Sequence, residues 1–491
     1  MIKVKTKVSL FSAILLSTTT MVGSGWLFSS QLTAGLAGNW AFLAWILTAI
    51  IVIATGMCYS KVISRFPVCG ATTRMSSFSH NHVFAMPFAF ANWFGIVVFI
   101  SSEALATTQY LSGTDYFSSL MTNNGLTWFG LVFSAMILFM YLMINFYGIK
   151  WLSRINNGII IFKICVPTII IVSFLYAGFS KGSSNFTVDI PNYTYNYMDA
   201  FTAITAGGLI YTFNGFQTIA AYGSEIKNPS RNIPLAIVLS VIVVLALYLG
   251  LQYAFMEVVP YEYLVKNGWS GLNFKSPLLQ VATILAMNYI VVLLLIDSVV
   301  SRSGAGYGYL GSSSRMLYGM AREEQAPKYF ANINKEFNFP RRSLIANFLL
   351  TVFFLIFAKN WATLMLVVTA FNILGYMAAP ISMGAIFPKS KWFGLIVFIV
   401  LGLVFATLNL KTSLLVNVML ITLMAIYTLI ERKRMGLKNI MVCVLPFFVF
   451  LLIISFIKSY IFDVTILVIF YLLATNKTYV NFCKNLSNNN Y

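Results

Sequence analysis

Runs of roughly 18 or more apolar residues recur along the whole chain, and each can cross the ~30 Å hydrocarbon layer of a bilayer as a helix. Of 491 residues, 59% are hydrophobic and 9% charged, against roughly a quarter charged in a soluble domain. No soluble domain of useful size fits between the runs. The longest polar stretch, Ser312 to Ser343, reads as a loop. The chain is therefore expected to be an all-α polytopic membrane protein.

Spans are expected at about 8–35, 39–61, 84–111, 125–147, 155–178, 199–224, 232–256, 288–311, 343–358, 362–386, 392–410, 412–430, 439–457 and 461–475. A net charge of +19 would suit a nucleic-acid partner, but the distribution of charge argues against one. With the N-terminus inside, 24 of the 32 Lys and Arg fall on the inner side and six in outer loops, leaving Lys163 and Arg302 within spans. That asymmetry is the positive-inside rule. It predicts a multi-pass protein of the cell (inner) membrane with both termini cytoplasmic. Met1 to Lys7 followed by an apolar stretch resembles a signal peptide. No small-x-small cleavage site lies near Met21 to Trp26, so the stretch is read as the first span.

The cysteines (Cys58, Cys69, Cys165, Cys443, Cys483) show neither CxxC nor metal spacing and are expected as free thiols. His80 and His82 lie in the second inner loop and read as a solvated pair. No metal and no cofactor are expected.

Helical rules are broken in two places. The first span contains Thr18-Thr19-Thr20-Met21-Val22-Gly23-Ser24-Gly25-Trp26, poor helix formers in mid-membrane. The sixth contains Gly207 and Gly208, then Tyr211-Thr212-Phe213-Asn214-Gly215-Phe216. These are the corresponding first members of two five-span halves, and paired interruptions of that kind point to a transporter's central site. A broken helix exposes amides that can hold a carboxylate and carbonyls that can hold an ammonium, and an α-amino acid carries both. The alternative is that the glycines only permit close helix packing.

Four ionisable residues, Glu103, Lys163, Asp297 and Arg302, lie within spans and form a neutral set. Each costs about 2.5–3.5 kcal/mol near a span centre on insertion scales, so a functional reading is the default. Lys163 lies nine residues beyond Arg154, about 13 Å deep at 1.5 Å per residue. A lysine desolvated there can exchange its proton near neutrality; the alternative is a permanent ion pair. Asp297 and Arg302 are five residues apart, about 140° around a helix, and are not expected to share a face. Arg302 is then either a fork for a substrate carboxylate or an ion-pair partner of Glu103 or Asp297. Glu103 is a proton acceptor, a recogniser of a cationic group, or that partner. Trp26, Tyr211, Phe216 and Tyr376 are aromatics beside the breaks.

Phe213-Asn214-Gly215-Phe216-Gln217, followed by Gly223-Ser224-Glu225-Ile226-Lys227-Asn228-Pro229-Ser230-Arg231-Asn232-Ile233-Pro234, resembles the sixth span and following loop of the amino acid–polyamine–organocation (APC) permeases. Gly23-Ser24-Gly25, Arg65-Phe66-Pro67-Val68-Cys69-Gly70 and Ser314 to Arg322 with Pro327 resemble other motifs of that superfamily, in the right order over about residues 10–390. Glu103 to Tyr110 and Asp297 to Gly306 resemble a bacterial branch that includes an aspartate–proton symporter. The resemblance implies a LeuT-type fold: a 5+5 inverted repeat with broken helices 1 and 6 over residues 1–390, followed by two further helices. The apolar runs at about 439–457 and 461–475 would make four further spans, with a short cytoplasmic tail, over 391–491, about 12–14 transmembrane helices in all. The breaks, the buried charges and the resemblance together give the expected substrate site: Val22, Gly23, Ser24, Gly25, Glu103, Tyr211, Phe213, Asn214, Gly215, Phe216 and Arg302. Tyr211 lies near a gating aromatic of similar permeases, and Lys163 resembles the lysine that in proton-coupled relatives replaces a bound cation. Two positions depart from the pattern. Gln217 stands where an acid is usual, and Arg302 where proline is expected.

The expected function is secondary active transport of amino acids, coupled to protons, with acidic substrates implied by the branch. The expected partners are an amino acid, protons and the lipid bilayer, with no nucleic acid; the oligomeric state is left open. No GxxxxGK[ST] occurs for primary transport. No HExxH or GxSxG occurs, so an enzyme is not expected. An amino acid/amine exchanger and a non-transporting nutrient sensor are the alternatives.

Overall fold

Several helices begin where a side chain meets the amides that a helix start leaves open. Asn81 accepts from Phe84 N at 2.8 Å, Asn360 from Thr363 N at 3.0 Å, and Asn196 forms a capping box with Asp199. The computed structural model describes residues 8–67, 71–147, 152–180, 184–186, 195–265, 268–334 and 339–488. Cys69 and Gly70 lie outside them.

In chain order the main helices are α1 (Leu10–Met21), α2 (Ser29–Ala37), α3 (Ala41–Arg65), α4 (His82–Leu111), α5 (Trp128–Tyr147), α6 (Leu152–Phe179), α7 (Tyr197–Ala206), α8 (Pro229–Val258) and α9 (Asn288–Arg322). They continue as α10 (Arg341–Phe357), α11 (Trp361–Tyr376), α12 (Ala378–Ile386), α13 (Lys391–Ala406), α14 (Leu410–Met435), α15 (Leu437–Phe456), α16 (Tyr460–Ala474) and α17 (Lys477–Asn488). Among the described residues ten helical stretches are long and apolar enough to cross a membrane, or eleven if α16 and the bent helix after it count as one. The first and sixth expected spans are built of shorter pieces, and α10 and α16 have 17 and 15 residues.

One expectation fails here. Residues from Ser312 onward are not a loop: α9 continues to Arg322, 35 residues in all. Leu317 and Met320 are buried and give this polar segment an apolar stripe that packs it as helix.

Burial separates the middle of the bundle from its rim. The most apolar window of α4 is entirely buried, whereas those of α5 and α6 are 28% and 33% buried. α4 packs against α9 and α11, while α8 packs against α1, α3 and α6. Helices α5 and α6 thus present apolar side chains to lipid, and α4 is the internal post.

A basic face carries residues 71–81, the connection after α9 and α17. Arg74 pairs with Glu323 at 3.1 Å across it. His80 lies here, and the expectation of a solvated pair is wrong for it: it is 3% exposed, with Nε2 2.7 Å from the Ala474 carbonyl and its ring stacked on Phe84. Burial holds the imidazole down at about 4. The reason is α17, which folds back under the bundle. Asn81 donates to Cys483 O at 2.8 Å and Tyr479 to Cys443 O at 2.9 Å. The thiols of Cys443 and Cys483 touch at 3.5 Å and are free, as are Cys58 and Cys165.

Candidate functional site

The first helix breaks where its threonines run out. Thr19 and Thr20 bond back to Leu15 O at 2.8 Å and Leu16 O at 2.6 Å, closing α1 on itself. Val22 and Gly23 leave the helix, a 3₁₀ turn follows at Gly25–Leu27, and α2 resumes at Ser29. The sixth span breaks after α7. Gly208 takes a left-handed φ of 78°, a turn of helix follows at Leu209–Thr212, and Gly215 has φ 119°.

The two breaks meet. A Cβ on Gly25 would run into the Thr212 methyl, and one on Gly215 would stand 2.7 Å from the Thr20 carbonyl carbon. Only glycine tolerates both that approach and that φ at Gly215. Tyr248 of α8 bridges the two segments, donating toward Met21 O at 3.0 Å and Thr212 O at 3.1 Å.

A carboxylate sits in the first break. Glu103 Oε1 accepts from Ser24 N at 2.9 Å, Ser24 Oγ at 2.6 Å and Tyr211 OH at 3.0 Å. Tyr211 OH also meets Ser102 Oγ at 2.7 Å, and Trp361 Nε1 donates to Ser24 Oγ at 3.0 Å. All these side chains are sealed from solvent. The arrangement is an amide-bearing helix break aimed at a negative group.

Arg302 has a partner that helix geometry seemed to deny it. Its Nη2 lies 2.7 Å from Asp297 Oδ2 on the same helix. Five residues leave a 140° offset but only about 7.5 Å of rise, and a long side chain leaning back toward the helix N-terminus covers both. Nη1 donates to Gly23 O at 2.8 Å, and Nε lies 3.9 Å from Glu103 Oε2. The Arg302 fork is thus occupied by the protein itself, over the ring of Trp26 at 5.6 Å.

Lys163 of α6 donates to Thr19 O at 3.1 Å. Among the described residues no carboxylate comes within 4.0 Å of it. It ties α6 to the last turn before the first break.

Asn214 and Phe216 belong to a separate cluster. Tyr376 OH donates to Asn214 Oδ1 at 3.1 Å, Gln217 Nε2 donates to the same atom at 2.9 Å, and Gly215 N donates to Gln217 Oε1 at 3.0 Å. Phe216 packs on Tyr376, with ring centroids 5.0 Å apart. Phe213 packs on Trp45 and Tyr248. Gln217, where an acid is usual, therefore caps the broken backbone.

Ser102, Tyr248 and Trp361 were not foreseen. Ser101-Ser102 immediately before a buried acid was a usable signal. Tyr248 lies in an unbroken apolar run and Trp361 at a span end, and neither place marks a residue as part of a site. Two further acids are buried away from this site: Glu257 at the end of α8, 2% exposed, and Asp463 near the start of α16, 1% exposed.

Comparison with known proteins identifies the family. A sequence model described as amino acid permease matches residues 8–482. A glutamate/serine transporter of Bacillus subtilis (strain 168) is 32% identical over 411 residues, covering 81% of this chain and 76% of the relative. An aspartate-proton symporter of the same organism is 29% identical over 385 residues, covering 78% and 73%. A chloroplastic cationic amino acid transporter of Arabidopsis thaliana is 22% identical over 350 residues, covering 67% and 57%.

Proposed function

The chain belongs to the amino acid permease family, and from that premise we propose that it accumulates amino acids by symport with protons, acidic ones among them. It is a multi-pass amino acid transporter of LeuT-type helical fold, and not an enzyme. The finer reading rests on one observation: Glu103 holds the Ser24 amide and hydroxyl at the first break.

An incoming amino acid needs those same donors for its own carboxylate. Two carboxylates cannot share them without a proton. Protonation of Glu103 removes its charge and releases the amide, so proton and substrate anion enter the site together, which is the sign of symport. Lys163 supplies the second half. Its ammonium on Thr19 O holds the end of α1 against α6, and loss of its proton would free that end to swing. The cation nearest the break for an acidic substrate side chain is Arg302, which would exchange Asp297 or the Gly23 carbonyl for it. The names of the two Bacillus relatives, one for glutamate and serine and one for aspartate and protons, support this choice. The surplus of Lys and Arg on the basic face supports its being cytoplasmic, at the cell membrane.

The test is uptake by purified protein in liposomes, with labelled aspartate, glutamate and serine, with and without an acidic exterior. Concentration of aspartate or glutamate above the outside level only under the gradient is the expected result. Dependence on a preloaded counter-substrate would mean exchange, and binding without flux would mean a sensor; either outcome overturns the symport reading.

A further inference from the structure

A second cavity, of about 550 Å³, shares no lining residue with the site between the breaks. Its volume is in the ~300–1,000 Å³ range of small-molecule pockets. Phe90, Trp93 and Phe94 of α4 form one side, and Leu350 of α10 and Ile426 of α14 the other. The three α4 residues are buried while Ile426 is 50% exposed, so the cavity runs inward from the outer surface. The surface beside it is apolar and outward-facing, including Leu349 at 61% and Leu429 at 60% exposed. In a membrane protein such a surface meets lipid chains.

The polar part of the wall comes mostly from one segment, Glu324, Gln325 and Lys328, on the basic face, with Tyr427 of α14 adding a hydroxyl-bearing side chain. Gln325 is 1% exposed, and among the described residues neither its amide nitrogen nor its amide oxygen has a hydrogen-bond partner. A buried amide left so is destabilising, and native structures seldom leave one without a reason. Gln325 stands in the wall of a cavity open to the lipid side, and a small turn of its side chain would bring the amide to the cavity's edge. Whatever satisfies its nitrogen and oxygen brings an acceptor and a donor on the polar end of an apolar body. Lys328, exposed at the same wall, adds a cation suited to a phosphate.

We propose that this cavity binds one acyl chain of a membrane phospholipid whose headgroup carries a hydrogen-bond donor, with the Gln325 amide hydrogen-bonded to the headgroup. Phosphate or ester oxygens accept from Gln325 Nε2, and an ammonium or hydroxyl of an ethanolamine or glycerol headgroup donates to Oε1. A choline headgroup offers no such donor. The bound lipid would join α4, α10 and α14 to the connection after α9. This inference does not depend on which amino acid is carried.

The probes are phosphatidylethanolamine and phosphatidylcholine bearing the same photoactivatable diazirine on one acyl chain. Each is placed at trace level in vesicles of phosphatidylethanolamine and phosphatidylglycerol with the full-length protein, and adducts are mapped by peptide mass spectrometry. The ethanolamine probe should label peptides covering residues 86–94 or 346–350 at least fivefold more than the choline probe. Ala346→Trp, which fills the cavity, should remove that labelling and leave adducts on the lipid-facing residues 132–140 unchanged. Leu350→Trp serves the same purpose should the first variant not fold. Gln325→Leu should bring the two probes level. Equal labelling by both probes in the unmodified protein, or labelling indifferent to the filling substitutions, overturns the proposal.

Discussion

Lys163 donates to the carbonyl of Thr19 across 3.1 Å, so a charged group of α6 is held by the last closed turn of α1 and not by a carboxylate. Under the proposed symport, this contact is where loss of one proton would release α1. Lys163→Ala should abolish accumulation driven by a pH gradient while leaving some exchange. Lys163→Gln should behave alike, since it can donate but cannot cycle a charge. The measurement is gradient-driven uptake per folded molecule across pH; full accumulation in well-folded Lys163→Ala would falsify the coupling role.

Arg302 and Asp297 are fully buried and paired. Removing one partner leaves a charge in the interior, an effect of roughly 3–5 kcal/mol, whereas removing both with apolar replacements is often close to neutral. Arg302→Met and Asp297→Leu should each lower thermal stability strongly, and the double variant should recover most of the loss. Additive losses in the double variant would show that the two residues are not coupled. Arg302→Lys addresses selectivity separately. It should weaken aspartate uptake more than serine uptake, because a point charge cannot replace the fork. Equal loss for both substrates would remove Arg302 from recognition.

Glu103→Gln keeps an oxygen for Ser24 and Tyr211 but carries no charge. Binding of amino acid at pH 7.5 should tighten several-fold, and the difference between pH 5.5 and 7.5 should shrink. Calorimetric titration at the two pH values reads both effects. An unchanged pH dependence would place the coupling proton elsewhere.

Gly25 and Gly215 are the points of closest approach between the breaks. Gly25→Ala should cut transport sharply, because its Cβ meets the Thr212 methyl. Adding Thr212→Ser, which deletes that methyl and keeps the hydroxyl, should restore part of it. Gly215→Ala should be worse and not rescued, since its neighbour is the Thr20 backbone and its φ is 119°. Initial uptake rates of the three variants make the comparison.

His80 gives a pH prediction on the basic face. Its imidazole is held at about 4 by burial, against about 6.5 in an unfolded chain. The neutral form is the one the fold accepts, so its stabilisation is complete above pH 6.5 and is lost as pH falls toward 4. At 1.36 kcal/mol per pH unit the loss is about 3 kcal/mol at most. The groups around it are Ser79, Phe84, Tyr479, the Ala474 carbonyl and, at longer range, Lys484. Cys483, buried on α17, which packs over His80, should lose its protection from maleimide below about pH 5.5, measured relative to unfolded protein at the same pH, and His80→Gln should flatten that dependence. A Cys483 equally protected at pH 7.5 and 5 would contradict it.

Much of this was legible in the sequence, because a bilayer imposes strict rules. The helix from His82 to Leu111 was expected at 84–111, and both breaks fell where glycines cluster. Glu103 and Arg302 stood out because a charge in an apolar run is costly. Partners were harder to read. Counting degrees around a helix separated Asp297 from Arg302, since backbone periodicity says little about where a seven-atom side chain can reach. His80 looked like a loop residue because nothing near it announces that α17, some 400 residues later, folds back over it. Ser312 to Arg322 looked like loop because polar composition hid a helical stripe of Leu317 and Met320.

Tyr248 points one hydroxyl at two carbonyls, those of Met21 and Thr212, and a hydroxyl carries a single proton. Met21 O also receives the Gly23 amide at 2.9 Å, so the shared proton matters more to Thr212. At the junction between the two broken spans the two carbonyls thus share one tyrosine proton. A group with several hydrogens arriving there, such as the ammonium end of an amino acid, would supply what the tyrosine cannot, and would stitch the segments together more firmly than the protein does unaided. The cargo would then be the missing rivet of the machine that carries it.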